Sequence, residues 1–282
     1  MIPGGAGRAP SVLAAVDGPA GVSAVLLVAR ELSRLLAATP RLLFVSRHAA
    51  APRGAARLLG LQREDLHGVT LDAVRGDLHT EILREARVES TRLVVLDLTL
   101  GGAAGPGRVG AAAAALLADA PCPLVLVPPG RCGAPWRVNE VLLAHDGTPT
   151  TAEAVRRASD LARSAGAWLR VLHVATAPEA AGEPGAMAVP RYLDQPQHEW
   201  PVWAEEFLQR LSSVCRFDLH RLRLVLGHGQ PGDEVLRVAQ ESRVDLVLLA
   251  CRGALGPDRG RTVRTVLGGS PCPVMVVRTM GA

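Results

Sequence analysis

Short aliphatic runs alternate with amphipathic stretches along the whole chain. In the second half, apolar positions recur at helical spacing, and this predicts helices at about 150–164, 200–214, 233–242 and 261–268. Between them, short and mostly apolar runs predict strands at 140–144, 168–174, 221–226, 246–250 and 274–277. Strands with continuous aliphatic runs are typical of a parallel sheet that helices cover on both faces. We therefore predict an open, doubly wound α/β fold.

The chain also repeats itself. Five segments of the first half return in the second half, at offsets between 129 and 153 residues. They are 12–18, 42–45, 81–86, 93–96 and 121–127, which return as 141–147, 171–174, 234–239, 246–249 and 271–277. The first pair reads VLAAVDG and VLLAHDG. One α/β unit has thus been duplicated.

The repeat predicts two tandem domains. We place domain 1 at 1–130, a Pro/Gly-rich linker at 131–137 and domain 2 at 138–282. The offset grows from 129 to 153, so the middle of domain 1 is shorter than that of domain 2. The additional residues of domain 2 fall near 176–197, where several prolines and the lack of a period predict a surface loop.

Composition and charge exclude several classes of protein. The chain contains no lysine, which excludes a P-loop lysine and Schiff-base chemistry. A net charge of +4 is small, and we expect no nucleic-acid partner. No apolar run reaches the roughly 18–20 residues of a membrane helix, and residues 1–30 lack the pattern of a signal peptide. The five cysteines form no CxxC pair, so we expect reduced thiols and no metal site. Together with the lack of a membrane helix or signal peptide, this predicts no membrane association and a cytoplasmic location.

Five motifs occur in the same order in both halves. They are a first strand ending in Asp-Gly, a second ending in Val-Ser or Val-Ala, a Gly-x4-Glu-[Ile/Val]-Leu segment, an aliphatic fourth strand, and Pro-Cys-Pro before a Val-x-Val strand. Together they resemble the universal stress protein family over nearly the whole chain. The resemblance implies a five-stranded parallel sheet of the adenine-nucleotide α-hydrolase-like type in each domain. It also implies that the last strands, 124–127 and 274–277, pair edge to edge within one chain as a pseudo-dimer.

Many members of this family bind ATP through Gly-x2-Gly-x9-Gly-[Ser/Thr] after the fourth strand. Glycine lets the backbone approach phosphates closely, and the helix that follows presents N–H groups to the anion. In domain 1 the four motif positions are Asp97, Leu100, Gly110 and Ala111. Two glycines and the hydroxyl are missing, and Asp97 adds a negative charge where a phosphate is expected to approach. The candidate ligand contacts of domain 1 are therefore Asp17, at the end of the first strand, and Gly110.

Domain 2 departs from the motif in another way. Its motif positions are Ala250, Gly253, Gly260 and Arg261, with six loop residues in place of nine. Four arginines surround the expected helix start, at 252, 259, 261 and 264. Arginine binds phosphate bidentately, although a solvated loop without a ligand fits the same residues. The candidate cofactor-binding residues of domain 2 are Asp146, Gly147, Val174, Gly253, Gly260, Arg261 and Thr262.

We expect a non-enzymatic universal stress protein with degenerate nucleotide sites, which acts in the stress response through protein interaction. The alternative is a stress sensor that binds ATP or ADP in domain 2. An enzyme of a related nucleotide-handling class is a remote alternative, because the chain has no Ser-Gly-Gly-x-Asp-Ser loop, His-x-Gly-His signature or Gly-x-Ser-x-Gly elbow. The expected partners are the other domain of the chain and an unidentified protein, and a homodimer stays open. The roles of His145 and His228 also stay open.

Overall fold

A computed structural model describes residues 9–48, 51–102, 108–130, 135–148, 151–175, 196–214, 218–252 and 260–279. The chain divides into two compact units, which we call unit 1 (Met1–Trp136) and unit 2 (Arg137–Ala282). The division falls within 131–137, the stretch in which the sequence places the linker.

Unit 1 alternates strands and helices from its first element to its last. Its elements are β1 (Ser11–Val16), α1 (Val22–Leu35), β2 (Thr39–Ser46), α2 (Pro52–Leu58), β3 (Thr70–Arg75), α3 (Leu78–Ala86), β4 (Thr91–Asp97), α4 (Ala111–Asp119) and β5 (Leu124–Val127). A short 3₁₀ helix at Glu64–Leu66 precedes β3. All strand pairs are parallel, and the order across the sheet is β3-β2-β1-β4-β5.

Unit 2 repeats this architecture. Its elements are β6 (Glu140–Ala144), α5 (Ala152–Ala165), β7 (Trp168–Ala175), α6 (Pro196–Val214), β8 (Leu222–His228), α7 (Pro231–Glu241), β9 (Leu246–Arg252), α8 (Arg261–Gly269) and β10 (Val274–Thr279). A short 3₁₀ helix at Leu219–Arg221 precedes β8. The strands are again parallel, in the equivalent order β8-β7-β6-β9-β10.

These sheets confirm the predicted α/β class and the predicted tandem units. Every helix and strand predicted for the second half is present, with ends that differ by at most four residues. Two helices begin earlier than predicted, α6 at Pro196 and α7 at Pro231, because proline fits the first helical turn, where its missing N–H needs no partner. The predicted surface loop is therefore wrong for residues 196–197, and its remainder, 176–195, lies outside the described residues.

The first strand of each unit lies at the centre of its sheet. β1 is buried along its whole length and pairs with β2 on one side and β4 on the other. β6 takes the same place between β7 and β9. The chain reverses its direction of travel across the sheet at this point, so helices leave the two neighbouring strands toward opposite faces. A crevice opens there at the carboxyl ends of the strands, where doubly wound folds bind ligands.

An ion-paired arginine occupies the same position of the second strand in both units, buried in unit 1 and partly buried in unit 2. In unit 1, Arg41 Nη2 lies 2.7 Å from Asp72 Oδ2 on β3 and 2.9 Å from Glu85 Oε2 on α3. In unit 2, Arg170 Nη2 lies 2.5 Å from Glu140 Oε1 on β6. A charge removed from water needs such partners, since an unpaired buried ion costs several kcal/mol.

Candidate functional site

The carboxyl ends of β6, β7 and β9 border a cavity of about 260 Å³ in unit 2. Aliphatic side chains from these strands and from α7 and α8 form much of its wall. The lining residues are Ala144, His145, Asp146, Thr151, Leu172, His173, Val174, Pro231, Val235, Leu249, Ala250, Thr262 and Val263. Three of the predicted cofactor-binding residues, Asp146, Val174 and Thr262, thus lie around one cavity.

His145 is held in one tautomer by the loop that follows β6. Its Nδ1 accepts a hydrogen bond from the Gly147 N–H at 2.8 Å, so the ring proton sits on Nε2. Nε2 therefore donates to Thr151 Oγ1 at 2.9 Å, and this hydroxyl donates to the Thr148 carbonyl at 2.8 Å. Burial lowers the pKa of His145 from 6.5 to about 4, against the attraction of the Asp146 carboxylate. His145 is therefore neutral near pH 7.

His173 lines the cavity beside His145, and Phe207 packs against both imidazoles. His173 Nδ1 donates to the His145 carbonyl at 3.0 Å, and burial lowers the pKa of His173 as well. Phe207 of α6 is only 1% exposed, and its ring lies edge-on to His145 at 5.2 Å and tilted to His173 at 5.8 Å. Both imidazoles are thus uncharged near pH 7, and the inner part of the cavity suits an uncharged group.

Asp146 supplies the negative charge at the edge of the cavity. Its Oδ1 accepts hydrogen bonds from the Thr148 N–H at 3.0 Å and from Thr148 Oγ1 at 2.7 Å, which orient the carboxylate. An ionised carboxylate has about four lone-pair positions, so an exposed one can also accept from a ligand hydroxyl.

The start of α8 closes the opposite side of the cavity. Gly260, with φ of 76°, is the N-cap and gives no side-chain cap. Within the described parts of the chain, the N–H groups of Arg261, Thr262 and Val263 have no hydrogen-bond acceptor. Such N–H groups at a helix start favour anions. The Arg261 side chain borders a neighbouring cleft of about 180 Å³, which shares Thr262 with the cavity, and Gly253 lies outside the described residues.

Two other predicted residues of domain 2 shape the loops instead of lining the cavity. Gly147 adopts φ of 80°, a left-handed conformation that glycine tolerates, and its N–H is used by His145. Gly260 likewise adopts a left-handed conformation at the start of α8. Their ligand contacts stay predictions, but their conformations explain why glycine occurs at these positions.

Unit 1 uses the equivalent helix start internally. The N–H of Gly110, the N-cap of α4, donates to the Leu98 carbonyl at 2.8 Å. Two of the first three N–H groups of α4 also donate to the turn after β4: Ala111 to Gly102 at 3.3 Å and Ala113 to Leu100 at 3.4 Å. Because these donors already have acceptors, α4 does not present them to a phosphate. This geometry argues against the ligand contact that the sequence predicts for Gly110.

Asp17 is tied to the same turn. Its Oδ2 accepts a hydrogen bond from the Gly101 N–H at 3.2 Å. Asp17 also borders an open crevice of about 620 Å³, whose charged and titratable lining residues include Arg47, His48, Asp77 and His79. The counterpart of Asp146 thus lies beside an open crevice whose lining combines these charged and titratable side chains with aliphatic ones such as Val45 and Leu78.

Three substitutions between the repeats account for this difference. Each gives unit 1 a larger side chain than the one that lines the cavity of unit 2. The pairs are Phe44 for His173, Ile82 for Val235 and Asp97 for Ala250. All three larger side chains are buried, so they fill the corresponding space in unit 1.

The orientation of Asp97 corrects an expectation from the sequence. The sequence places its charge toward an approaching phosphate. In the structure, Oδ1 instead accepts hydrogen bonds from the Thr99 N–H at 2.7 Å and from Thr99 Oγ1 at 2.5 Å. Oδ2 lies against Gly21, where an added Cβ would be only 2.2 Å away. Asp97 is part of the internal structure of unit 1, because it caps its own turn.

The residues that sequence reasoning missed come from distant segments. Thr151 is six residues after His145, and only the fold of the intervening loop brings the two side chains together. Phe207 reaches both imidazoles from another helix, and no local spacing links them. An alignment of the two repeats could have indicated the cavity, because it shows the three positions at which unit 2 has a smaller side chain than unit 1.

Among the residues that the structure describes, no group of three or more His, Cys, Asp or Glu side chains is arranged to hold a metal ion. None of the helices in the same residues combines the length and apolar composition that a bilayer crossing requires.

The sequence profile of the universal stress protein family matches residues 138–278, half of the chain. Universal stress protein YxiE of Bacillus subtilis is 27% identical over 146 residues, covering 50% of this chain and 99% of that protein. A universal stress protein of Thermus aquaticus is 32% identical over 149 residues, covering 49% of this chain and 97% of that protein. The doubly wound fold and the crevice at its switch point agree with these matches. The chain therefore belongs to the universal stress protein family, a family of the stress response.

The fold of both units together also has a solved counterpart. The crystal structure of a universal stress protein from Archaeoglobus fulgidus matches with a TM-score of 0.66 and 17% identity. The match covers 95% of this chain and 98% of that one. At this identity the likeness shows the fold alone, and it supports the reading of the chain as two tandem units.

Proposed function

We propose that this chain is a non-enzymatic stress protein whose unit 2 holds an adenine nucleotide and whose unit 1 holds none. The observation that carries the proposal is the contrast between two equivalent helix starts. The first N–H groups of α8 border a cavity, whereas those of α4 donate to their own turn. The substitutions between the repeats agree, because unit 2 has the smaller side chain at each of the three compared positions.

The residues of unit 2 suit the parts of such a ligand. Aliphatic side chains and two neutral imidazoles form a wall for an uncharged base. Asp146 is placed to accept hydrogen bonds from ribose hydroxyls. The N-terminus of α8, with Thr262 and Arg261, is the part that suits phosphate oxygens.

The hydrogen bonds of His145 support a non-enzymatic role. A histidine that activates a hydroxyl must accept its proton. His145 instead donates through Nε2 to Thr151, and its other nitrogen is occupied by the Gly147 N–H. The hydrogen bonds of His145 and Thr151 therefore support a structural role and do not activate the Thr151 hydroxyl as a nucleophile.

Isothermal titration calorimetry of the full chain with ATP, ADP and AMP tests the proposal. Ala250→Asp places a carboxylate in the cavity, as Asp97 does in unit 1, and we expect affinity to fall roughly tenfold or more. Ala114→Asp makes the same change at an exposed position of α4 and should leave the affinity unchanged. Equal affinities for both variants would place the site elsewhere, and absence of binding to the wild type would refute a nucleotide site.

The second candidate is a stress protein that acts through protein interaction without any nucleotide. One observation favours it, since Arg261 borders the neighbouring cleft and is not among the residues that line the cavity. In either case we propose that the last strands of the two units pair within the chain and that an unidentified protein is the partner. Whether two chains form a homodimer is a separate question, and sedimentation of the purified chain answers it.

A further inference from the structure

We propose that the Asp97 carboxylate is an internal substitute for a bound anion in unit 1. It holds the turn Leu98–Gly102 in a position from which the carbonyls of the turn accept hydrogen bonds from the N–H groups at the start of α4. Unit 1 is thereby kept in a single state that needs no ligand. The inference rests on contacts inside unit 1 and does not depend on whether unit 2 binds a nucleotide.

The contacts of Asp97 are those of a bound anion. The side chain is 7% exposed and projects from the carboxyl end of β4, beside the switch point. Oδ1 accepts two hydrogen bonds from Thr99, one from its N–H and one from its hydroxyl. Charge-assisted bonds of this kind are stronger than bonds between neutral groups.

The other oxygen lies at the start of α1. Gly21 is the N-cap of α1, with φ of 72°, and supplies no side-chain cap. The first turn of α1 contains no acidic residue, so Asp97 brings the negative charge that favours the positive end of the helix dipole. Oδ2 packs so closely on Gly21 that any side chain at position 21 would displace it. Glycine at this position and aspartate at position 97 therefore fit each other.

Asp97 begins a chain of bonds that ends at α4. Its hold on Thr99 shapes the turn, and the turn carbonyls of Leu98, Leu100 and Gly102 then accept from the first residues of α4. Asp17 adds a second carboxylate, bonded to the Gly101 N–H. In unit 2 the residue equivalent to Asp97 is Ala250, which cannot make these bonds and lines the open cavity.

Hydrogen–deuterium exchange of the full chain tests this device without a ligand. In Asp97→Ala we expect the amides of Gly102, Gly110 and Ala111 to exchange roughly 10- to 100-fold faster than in the wild type, because two bonds to a charged group are lost. Asp97→Asn keeps an oxygen acceptor for Thr99 and should raise these rates less than Asp97→Ala.

Asp77→Ala is the matched control. Asp77 caps α3 by accepting from the N–H and hydroxyl of one threonine, Thr80, at 2.9 and 2.8 Å, as Asp97 accepts from the N–H and hydroxyl of Thr99. Its loss should accelerate exchange at Thr80 and leave Gly110 and Ala111 unchanged.

Amides of the buried strand β1 report whether unit 1 remains folded in each variant. If the amides of β1 also lose protection in Asp97→Ala, the variant Thr99→Val replaces it in the test. This variant removes the hydrogen bond from the Thr99 hydroxyl to Asp97 and keeps the carboxylate. Faster exchange at Gly110 and Ala111 in the folded variant supports the proposal. Faster exchange at Thr99 alone would overturn it, since the backbone bonds would then hold the turn without Asp97.

Discussion

Acidification should destabilise unit 2 through the imidazole of His145. In the folded chain, burial lowers the pKa of His145 from 6.5 to about 4. The unfolded chain therefore takes up a proton on this ring at a higher pH than the folded chain does. The contribution of His145 to stability is complete above about pH 6.5 and is lost as the pH falls toward about 4.

The size of the effect follows from the difference between the two pKa values. Each pKa unit corresponds to about 1.4 kcal/mol, so a fall from 6.5 to about 4 amounts to about 3 kcal/mol in the free energy of unfolding. About 2 kcal/mol of this loss should have occurred by pH 5. The lowered pKa of His173 acts in the same direction and makes the dependence steeper.

Urea denaturation at a series of pH values measures this loss. Tryptophan fluorescence reports mainly on unit 2, which contains Trp168, Trp200 and Trp203. The variant His145→Asn keeps an acceptor for the Gly147 N–H and has no titrating ring. At pH 7.5 we expect it to be about 1–2 kcal/mol less stable than the wild type, because the bond to Thr151 and packing on Phe207 are lost.

The two stability curves should approach each other as the pH falls and meet between about pH 6 and 5. A constant difference between wild type and His145→Asn over this range would refute the reasoning, because His145 would then have the same pKa in both states. His48→Gln, at an exposed position of unit 1, serves as the control and should leave the fluorescence-detected dependence unchanged.

Two further changes test how each unit is held together. Phe207→Ala should lower the free energy of unfolding of unit 2 by about 3–5 kcal/mol, because it leaves a cavity beside the two imidazoles. Urea denaturation measures it, and Leu58→Ala, at a side chain that is 61% exposed, should change it by less than about 0.5 kcal/mol. Arg41→Ala should cost unit 1 about 3 kcal/mol, since Asp72 and Glu85 lose their buried cation. A loss below about 1 kcal/mol would show that solvent already compensates these carboxylates.

The helices and strands could be predicted because each is determined by the pattern of apolar residues within its own short segment. Strands such as β6 and β9 are uninterrupted aliphatic runs, and the helices between them have one apolar face. The internal repeat then gave two tandem units of equal topology. Helix ends were less certain, as at Pro196, because a proline is read equally well as part of a loop or as the first residue of a helix.

The candidate site divides in the same way. Sequence alone determined that Asp17 and Asp146 follow the first strands and that both phosphate motifs are altered. Only the tertiary structure decided that unit 2 has a largely aliphatic cavity at its strand ends and unit 1 an open crevice with several charged side chains. That difference depends on how side chains from separate strands and helices fill a shared volume. The same reason explains Asp97, whose charge was visible in the sequence but whose direction was decided by Thr99 and by the absence of a side chain at Gly21.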